Sequence, residues 1–329
     1  MKTALITGVS GQDGSFLTEL LLSKGYVVHG LLRRGSEEPQ RIAEILPRII
    51  PHYGDLLTDI DLAVLLDRIK PDEIYNLGGQ SDVKASFECP QYTAESTGLG
   101  TLKMLQAVLQ FSPKSKFYQA SSSEMFGDAP APQNELTPMM ANSPYGAAKL
   151  FAHNIVKIYR RSYGLFACNG ILFNHESERR GLKFVTRKIS NAVARIVLGK
   201  QESLSLGNIE ALRDWGYAPD YVQAMWLMLQ QDKPDDYVVG TGVAHSVKDF
   251  AKAAFDCVAL DYKQHIKIDE SLKRPVEVNH LLADPGKAQK VLNWKPTVDF
   301  DELVRIMVGA DLIRNADVKT ARVPEAVVA

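Results

Sequence analysis

A glycine-rich turn close to the start of the chain limits the possible folds more than any other feature. An apolar segment at residues 4–7 precedes Gly8, Gly11 and Gly14, and a helical pattern then covers residues 15–23. A strand, a tight turn and a helix in this order direct free backbone N–H groups and the positive end of the helix dipole towards one point, where a pyrophosphate can bind. A second strand-like segment follows at residues 27–32. The sequence therefore predicts a β–α–β unit and a dinucleotide-binding turn rather than an ordinary one.

Further strand-like segments extend this unit into a doubly wound parallel sheet of the Rossmann type. They cover residues 48–51, 74–79, 116–120, 167–173 and 237–240. Ligands bind at the carboxyl ends of such strands, where Asp55, Gly79 and Ser81 are expected. Asp55 is interpreted either as a hydrogen-bond acceptor for adenine or as the N-cap of a helix over residues 56–69.

Two arginines at the end of the second strand bear on the choice of cofactor. Arg33 and Arg34 occupy the position where an acidic residue would accept a ribose 2′-hydroxyl. A guanidinium suits a 2′-phosphate, so the sequence favours NADP over NAD. The alternative is that both arginines belong to an exposed loop.

The segment from residue 120 to residue 149 holds the candidate catalytic groups. Three serines and Glu124 follow the fifth strand, and Ser143 with Pro144 predicts the start of a helix that runs to about residue 162. Tyr145 and Lys149 are four residues apart on that helix, so the ammonium is expected to lower the pKa of the phenol from about 10 towards neutrality. The alternatives are surface packing for the tyrosine–lysine pair and a structural role for Glu124.

From residue 174 onwards, charged helical segments alternate with loops. This pattern predicts a smaller mixed α/β domain for the substrate. The prediction assigns residues 1–173 and about 214–260 to an NADP-binding domain, and residues 174–213 and about 261–315 to the substrate domain. It includes a helix over residues 185–198 and a helix over residues 247–258 that Ser246 caps. Residues 316–329 are expected to form a flexible tail.

Charge and cysteine content exclude several classes of function. The 38 basic and 39 acidic side chains give a net charge of −1, which provides no general field for nucleic acid or an anionic membrane. The three cysteines are far apart and predict neither disulfides nor a metal site. With no apolar run of about 18 residues, the sequence predicts a soluble, cytoplasmic protein.

Five segments resemble the GDP-mannose 4,6-dehydratase family of the extended short-chain dehydrogenase/reductase superfamily. They are TGVSGQDG at 7–14, FYQAS at 117–121, GILFNHES at 170–177, FVTRK at 184–188 and RDWG at 213–216. The likeness covers about residues 3–312. It implies a homo-oligomer, in which the Arg33–Arg34 loop reaches the cofactor of a neighbouring subunit.

The resemblance also implies an internal redox cycle with NADP. Tyr145, assisted by Lys149, would remove the proton of the hydroxyl at carbon 4 of the hexose while hydride passes to the cofactor. Glu124 would then take the proton of carbon 5 and help water leave carbon 6, and hydride would return to carbon 6. Such an elimination step needs an added carboxylate, which agrees with the residues themselves.

The expected site residues fall into three sets. The catalytic set is Ser122, Glu124, Tyr145 and Lys149. The cofactor set is Gly8, Gly11, Gln12, Asp13, Gly14, Arg33, Arg34, Asp55, Leu56, Leu77, Gly79, Ser81, Tyr145, Lys149, Leu172 and His175. The substrate set is Ser81, Ser122, Glu124, Asn174, Val185, Lys188, Arg213, Arg274 and Glu277.

Two departures from the family pattern leave alternatives open. Ser122 stands where threonine is usual, and residues 138–143 lack the family's aromatic residues and arginine. If residues 139–142 form a wall of the sugar pocket, the substrate is expected to be a relative such as a GDP-manno-heptose, which turnover of the two sugars side by side would test. A GDP-4-keto-6-deoxymannose reductase and a non-catalytic NADP-binding sensor are the other hypotheses.

Overall fold

The computed structural model describes residues 1–33, 40–273 and 275–316. Arg34, Arg274 and the predicted tail beyond residue 316 lie outside the described residues. The strands are β1 (Thr3–Thr7), β2 (Val27–Leu32), β3 (Ile50–Tyr53), β4 (Glu73–Asn76), β5 (Lys116–Ser122), β6 (Ala167–Leu172), β7 (Asn174–Glu176), β8 (Leu204–Leu206), β9 (Leu212–Tyr217), β10 (Asp236–Val239), β11 (Ala244–Ser246), β12 (Ile266–Ile268) and β13 (His280–Leu281).

Helices connect most of these strands. A π-helical turn at Ala94–Leu99 leads directly into the helix that begins at Gly100. The α-helices are α1 (Gln12–Ser23), α2 (Asp59–Ile69), α3 (Val83–Glu88), α4 (Pro90–Thr93), α5 (Gly100–Phe111), α6 (Pro144–Tyr163), α7 (Val185–Val197), α8 (Ala218–Gln230), α9 (Val247–Asp256), α10 (Tyr262–His265), α11 (Gly286–Leu292) and α12 (Phe300–Asn315).

A seven-stranded parallel sheet in the order β10-β6-β5-β4-β1-β2-β3 forms the centre of the molecule. Its inner strands are buried over nearly their whole length, as expected for a sheet that helices cover on both faces. Helices α1 and α8 pack on one face, and α2, α5 and α6 pack on the other. The predicted Rossmann-type fold is therefore confirmed.

The register of the sheet brings several strand ends to the same level. Thr7 pairs with Asn76 between β1 and β4, and Ser122 pairs with Leu172 between β5 and β6. Thr7 donates a hydrogen bond from its hydroxyl to Asn76 at 2.7 Å. The carboxyl ends of these four neighbouring strands, three of them polar, thus meet at one edge, where a ligand site is expected.

A second layer covers this edge. Helices α7, α9 and α12 share an apolar core, and β7, β9, β11 and β13 form a small sheet beside it. Two segments pack differently from the predicted domain boundaries: α9 belongs to this second core, whereas α11 and Trp294 pack on the core of the large sheet. The indole N–H of Trp294 donates to the backbone oxygen of Asp220 at 2.8 Å. These long-range contacts leave no local signal in the sequence.

The predicted bounds of strands and helices agree best with the structure where a short apolar run or a cap residue marks them. The strand at residues 27–32 and the caps of α6 and α9 are confirmed. The third strand begins at Ile50 rather than residue 48, and α2 begins at Asp59 rather than residue 56. The N-cap interpretation of Asp55 is therefore wrong, because its carboxylate accepts from the backbone N–H of Leu57 at 3.0 Å, within the loop before α2.

Two further findings concern membrane-spanning helices and the state of the cysteines. No helix in the part of the chain that the structure describes is long and apolar enough to cross a membrane. Cys89, Cys168 and Cys257 are all free thiols.

Candidate active site

A cavity of about 830 Å³ lies between the carboxyl edge of the large sheet and the second layer. Its wall contains the glycine-rich turn, the end of β5, the first turns of α6 and α7, and part of β9. All four predicted catalytic residues line it. The predicted cofactor residues in its wall are Gly8, Gly11, Gln12, Asp13, Gly14, Leu77, Gly79, Ser81, Tyr145, Lys149, Leu172 and His175.

The glycine-rich turn has the geometry of a phosphate cradle. Gly8 adopts φ +68°, and a Cβ on Gly14 would overlap the backbone oxygen of Gly8. Only glycine permits that backbone conformation and this close approach without strain. Among the described residues no side chain caps the N-terminus of α1, whose N-cap is Gly11, so its N–H groups are available to an anion.

A buried ion pair joins this turn to β7. The Asp13 carboxylate lies 2.9 Å from Nε2 of His175, and Nδ1 of His175 donates to the backbone oxygen of Phe173 at 2.7 Å. Although burial disfavours the charged carboxylate, the charge and hydrogen bond of His175 outweigh it and lower the pKa of Asp13 to about 2. Burial likewise opposes the imidazolium, but Asp13 raises the pKa of His175 above its usual value. The ring of Tyr221 stacks on the imidazole at 4.6 Å.

The catalytic candidates converge at the end of β5. The Ser122 hydroxyl accepts a hydrogen bond from the backbone N–H of Glu124 at 3.2 Å, in a 3-10 turn that holds the carboxylate at the cavity wall. Ser143 accepts from the backbone N–H of Gly146 at 3.0 Å and so begins α6 just before Tyr145. Lys149 donates from Nζ to the backbone oxygen of Ala120 at 2.7 Å.

The pKa of the tyrosine differs from the sequence expectation. Burial raises the pKa of Tyr145 to about 12, opposed by a hydrogen bond with Ser122 and reinforced by the charge of Glu124. The Nζ of Lys149 lies 5.7 Å from the centre of the tyrosine ring, and burial lowers the pKa of this lysine to about 8. The expectation that the Lys149 ammonium lowers the pKa of the phenol towards neutrality is therefore not met in this structure, because the cost of burying the charged phenolate dominates.

Three predicted cofactor residues within the described chain are not part of the cavity wall: Arg33, Asp55 and Leu56. They follow the ends of β2 and β3, further along the same edge of the sheet. A side-chain carbon of Leu56 packs directly against Gly78, whose own backbone is in the wall. The Arg33 guanidinium donates to the hydroxyl of Tyr92 at 2.6 Å.

The predicted substrate residues within the described chain all line the cavity. They are Ser81, Ser122, Glu124, Asn174, Val185, Lys188, Arg213 and Glu277. The Asn174 side-chain oxygen is buried without a hydrogen-bond partner among the described residues, so it is an acceptor available to a ligand. Lys188 donates to the backbone oxygen of Ser205 at 2.8 Å, which directs the ammonium along β8.

Sequence reasoning missed several charged residues in the wall. Arg180 pairs with Glu176 at 3.0 Å and its guanidinium lies 3.6 Å from the ring centre of Phe184. Lys84 and Lys183 also line the cavity. The pair Arg179–Arg180, three residues after the end of β7, was an available signal, because charged residues that follow a strand end are candidates for the site.

Residues 139–142 do not contribute to the cavity wall within the described chain. Met139 packs against an apolar cluster with Phe126 and Phe173, and the Asn142 amide bonds the Asp128 carboxylate at 2.5 Å. The expectation that this segment forms a wall of the sugar pocket is wrong, because it packs against the loop after β5 at Gly127 and against Gly146 instead of lining the cavity. The structural basis for a different sugar is thereby removed.

The parallel sheet, the glycine cradle and the Tyr145–Lys149 helix define an enzyme of the extended short-chain dehydrogenase/reductase class, which uses a nicotinamide dinucleotide. The family model described as GDP-mannose 4,6 dehydratase matches residues 5–307. The chain belongs to the GDP-mannose 4,6-dehydratase family.

Individual relatives agree with this assignment. The chain is 53% identical over 326 residues to GDP-mannose 4,6 dehydratase 1 of Arabidopsis thaliana, with 94% of this chain and 90% of that protein covered. It is 50% identical to GDP-mannose 4,6 dehydratase of Homo sapiens, with 94% and 91% covered. Among solved structures, UDP-glucose 4-epimerase of Thermus thermophilus in complex with NAD has the same fold, with a TM-score of 0.84, 24% identity, and 96% and 100% of the two chains covered.

Proposed function

We propose that the protein is a hydro-lyase that converts GDP-mannose to its 4-keto-6-deoxy derivative through an internal NADP redox cycle. The observation that carries this proposal is the position of Glu124. Its side chain lies in the same cavity wall as Tyr145 and Lys149, at the end of β5. A simple dehydrogenase needs only a proton acceptor for its alcohol, whereas loss of water from the neighbouring carbons needs a second acid–base group.

The described residues fit a dinucleotide. The cradle of Gly8 and Gly14 and the N-terminus of α1 would hold the pyrophosphate, and Tyr145 and Lys149 would face the nicotinamide end. When bound, this group supplies a reversible hydride acceptor, so the sugar can be oxidised at carbon 4 and later reduced at carbon 6. The chain's own residues supply the proton transfers.

Tyr145 and Ser122 act first, at the hydroxyl of carbon 4. The phenolate of Tyr145 accepts the hydroxyl proton and becomes a phenol, and the hydrogen bond with Ser122 favours the ionised form that burial disfavours. Since the pKa of Tyr145 is about 12 in the structure, deprotonation depends on positive charge delivered with the bound cofactor and on the Lys149 ammonium.

Glu124 acts second, at carbons 5 and 6. The new ketone acidifies the proton at carbon 5, which the carboxylate accepts. The carboxyl group then donates a proton to the hydroxyl leaving carbon 6, so that one water is lost and the carboxylate is restored. When hydride returns to carbon 6, Tyr145 releases the proton that it took from the hydroxyl of carbon 4, and carbon 5 takes up a proton. Both acid–base groups thereby return to their starting states, one water is lost and no net oxidation occurs.

The second layer would bind the GDP part. Lys188, Arg213 and the unpartnered oxygen of Asn174 converge on the cavity from α7, β9 and β7. Guanidinium and ammonium groups suit a diphosphate. The proposal places Arg274 with Glu277 on the same side, although Arg274 lies outside the described residues.

NADP rather than NAD, a cytoplasmic location and a homo-oligomer are further parts of this proposal. The exposed Arg33 after β2 supports NADP, since it can pair with a 2′-phosphate. Thermal unfolding with each cofactor tests this: NADP should raise the melting temperature more than NAD at equal concentration, and Arg33→Ala should reduce that difference. Equal shifts for both cofactors would contradict the preference.

Incubation of the purified protein with NADP and GDP-mannose, without reductant, tests the activity. Mass spectrometry should show a product lighter by one water and no net change in NADPH absorbance. Tyr145→Phe should lower the rate by about 10²–10⁴-fold. Tyr163→Phe, on the exposed face of the same helix, is the matched control and should keep the wild-type rate.

Glu124→Gln separates the two halves of the reaction. This variant should still exchange hydride with the sugar, seen as a small rise in NADPH absorbance, but should form no dehydrated product. A dehydrated product at the wild-type rate would contradict the role of Glu124. Stoichiometric consumption of NADPH on a 4-keto sugar, with no loss of water from GDP-mannose, would indicate a reductase instead.

A further inference from the structure

A buried hydrogen-bonded chain lies directly behind the catalytic end of β5 and belongs to none of the residue sets above. It begins at His153 on α6, a side chain that is only 1% exposed. Nδ1 of His153 lies 3.2 Å from the Ser121 hydroxyl, which in turn lies 3.3 Å from the side-chain oxygen of Asn169. The Asn169 amide donates to Asp236 at 2.8 Å.

The bond between Asn169 and Asp236 fixes the direction of the other hydrogen bonds in this row of side chains. Because the Asn169 nitrogen donates to the Asp236 carboxylate, its oxygen faces Ser121 and accepts the hydroxyl proton. The Ser121 oxygen is then free to accept, so Nδ1 of His153 carries the proton and donates to it. The other ring nitrogen, Nε2, lies 3.9 Å from an Asp236 oxygen, which is beyond hydrogen-bond distance. Every donor points towards Asp236, an arrangement in which each bond strengthens the next.

The imidazole is neutral in this chain. Burial lowers the pKa of His153 to about 4, and the charges of Lys157 and Arg160 on α6 act in the same direction while Asp236 on β10 opposes them. Asp236 is itself compensated by Arg160 at 2.8 Å. A polar ring held neutral in the core is costly to bury unless its hydrogen bonds are used.

Position along α6 connects this chain to catalysis. Tyr145, Lys149 and His153 are spaced by four residues and share one helical face. Each contacts one of three successive residues of β5: Tyr145 bonds Ser122, Lys149 bonds the oxygen of Ala120, and His153 bonds Ser121. The first two contacts belong to the proposed reaction, and the third holds the residue between them.

We propose that His153, through the chain Ser121–Asn169–Asp236, is a positioning residue that fixes the end of β5 and thereby the placement of Ser122 and Glu124 against Tyr145. This inference rests on the proposed dehydration. A displacement of about 1 Å in a catalytic group can slow a reaction by about 10²-fold, so a lost contact at Ser121 should reach the chemistry.

Three substitutions at His153 test the direction of the chain. Asn places its amide nitrogen where Nδ1 of histidine stands, Gln places it where Nε2 stands, and Phe removes both donors while it keeps a ring. His153→Phe and His153→Gln should lower kcat roughly tenfold with a less than about twofold change in KM, whereas His153→Asn should recover most of kcat. Asn154→Ala, one residue along on the exposed face of α6, is the control and should match the wild type.

Ser121→Ala is an independent test, because it removes the contact with His153 from the β5 side. Its effect on kcat should not add to that of His153→Phe in the double variant, since both remove one interaction. Melting temperature and NADP(H) binding show whether each variant is folded. Wild-type kcat in folded His153→Phe, equal rescue by Gln and Asn, or additive effects would each overturn the inference.

A readout independent of turnover separates this inference from the proposed function. In protein labelled with ¹⁵N-histidine, the resonances missing from His153→Asn identify the ring, which should be the neutral Nδ1–H tautomer from pH 8 to pH 5. A charged ring or the Nε2–H tautomer would overturn the hydrogen-bonded chain even if the enzyme dehydrates GDP-mannose. Absence of dehydration by the wild-type protein, together with the expected tautomer, would reject the proposed function while retaining the chain.

Discussion

The Asp13–His175 pair shows how a single buried contact can make stability depend on pH. Because the pKa of Asp13 is lowered from 3.8 to about 2, its contribution is complete above about pH 3.8 and is lost as pH falls through 2. Because the pKa of His175 is raised above 6.5, its contribution is complete below 6.5 and is lost as pH rises through that higher value. The pair therefore stabilises the fold most between these limits.

Asp13→Asn should lower the free energy of unfolding by about 3 kcal/mol between about pH 4 and 6.5, because it leaves a buried imidazolium without its counter-charge. The deficit should shrink at pH 9, where the wild-type imidazole is also closer to neutral. Urea unfolding at several pH values measures this. Glu19→Gln on the same helix breaks a more exposed pair with Arg179 and should cost less than about 1 kcal/mol at every pH. A deficit for Asp13→Asn that does not vary with pH would contradict the ionic nature of the pair.

The sequence predicted which residues lie together at this site, but it did not predict their pKa values. The sequence placed Tyr145 and Lys149 on one helical face, which the structure confirms. It gave the wrong direction for the pKa of the phenol, because spacing along a helix carries no information on burial. Contacts such as Asp13 with His175 join residues far apart in the sequence, and no periodic pattern reveals them.

At the scale of elements, helix caps determine how accurately α6 presents its catalytic face. Ser143 caps α6 with an acceptor bond from Gly146 at 3.0 Å, and Asp299 caps α12 in the same way with Glu302 at 2.9 Å. Replacement of either side chain by alanine should cost about 1 kcal/mol of stability. The two helices differ in that only α6 carries Tyr145 within its first turn.

Ser143→Ala should therefore lower both the melting temperature and kcat, whereas Asp299→Ala should lower the melting temperature alone. The first helical turn frays without its cap, and Tyr145 lies in that turn. Steady-state kinetics and thermal unfolding of the two variants provide the comparison. Equal kcat in both would show that packing, rather than the cap, fixes the position of Tyr145.

Element boundaries show the same division between local and tertiary causes. The start of α6 was predictable since serine followed by proline is a local signal. The start of α2 was not, because Leu56 packs against Gly78 of a neighbouring strand end and so stays outside the helix. The third strand was misplaced by two residues because residues 46–48 form a 3-10 turn instead.

At the scale of the whole molecule, one buried ion pair connects the wall of the cavity to the last described helix. Asp311 on α12 accepts two hydrogen bonds from Nε of Arg187 at 2.9 and 2.7 Å. The same guanidinium donates to the backbone oxygens of Glu178 and Arg180 at 2.9 and 2.8 Å. Arg187 therefore holds the loop that carries Arg180 and Lys183 into the cavity, and Asp311 holds Arg187.

Asp311→Ala should reduce stability by about 3–5 kcal/mol, because Arg187 is 8% exposed and would remain charged without its partner. It should also raise KM for the sugar nucleotide more than it lowers kcat, since the loop borders the cavity rather than the acid–base groups. Denaturant unfolding and steady-state kinetics measure the two effects. Glu302→Gln, which breaks an exposed pair with Arg305 on the same helix, should change neither by more than about 1 kcal/mol.

The double variant Arg187→Met with Asp311→Leu separates stability from function. Apolar side chains of similar volume can replace a buried ion pair at little cost, so unfolding should return close to the wild-type value. KM should remain raised, because methionine cannot donate to the two loop oxygens. If KM recovers together with stability, the loop is held by packing alone, and the guanidinium has no separate part in shaping the cavity.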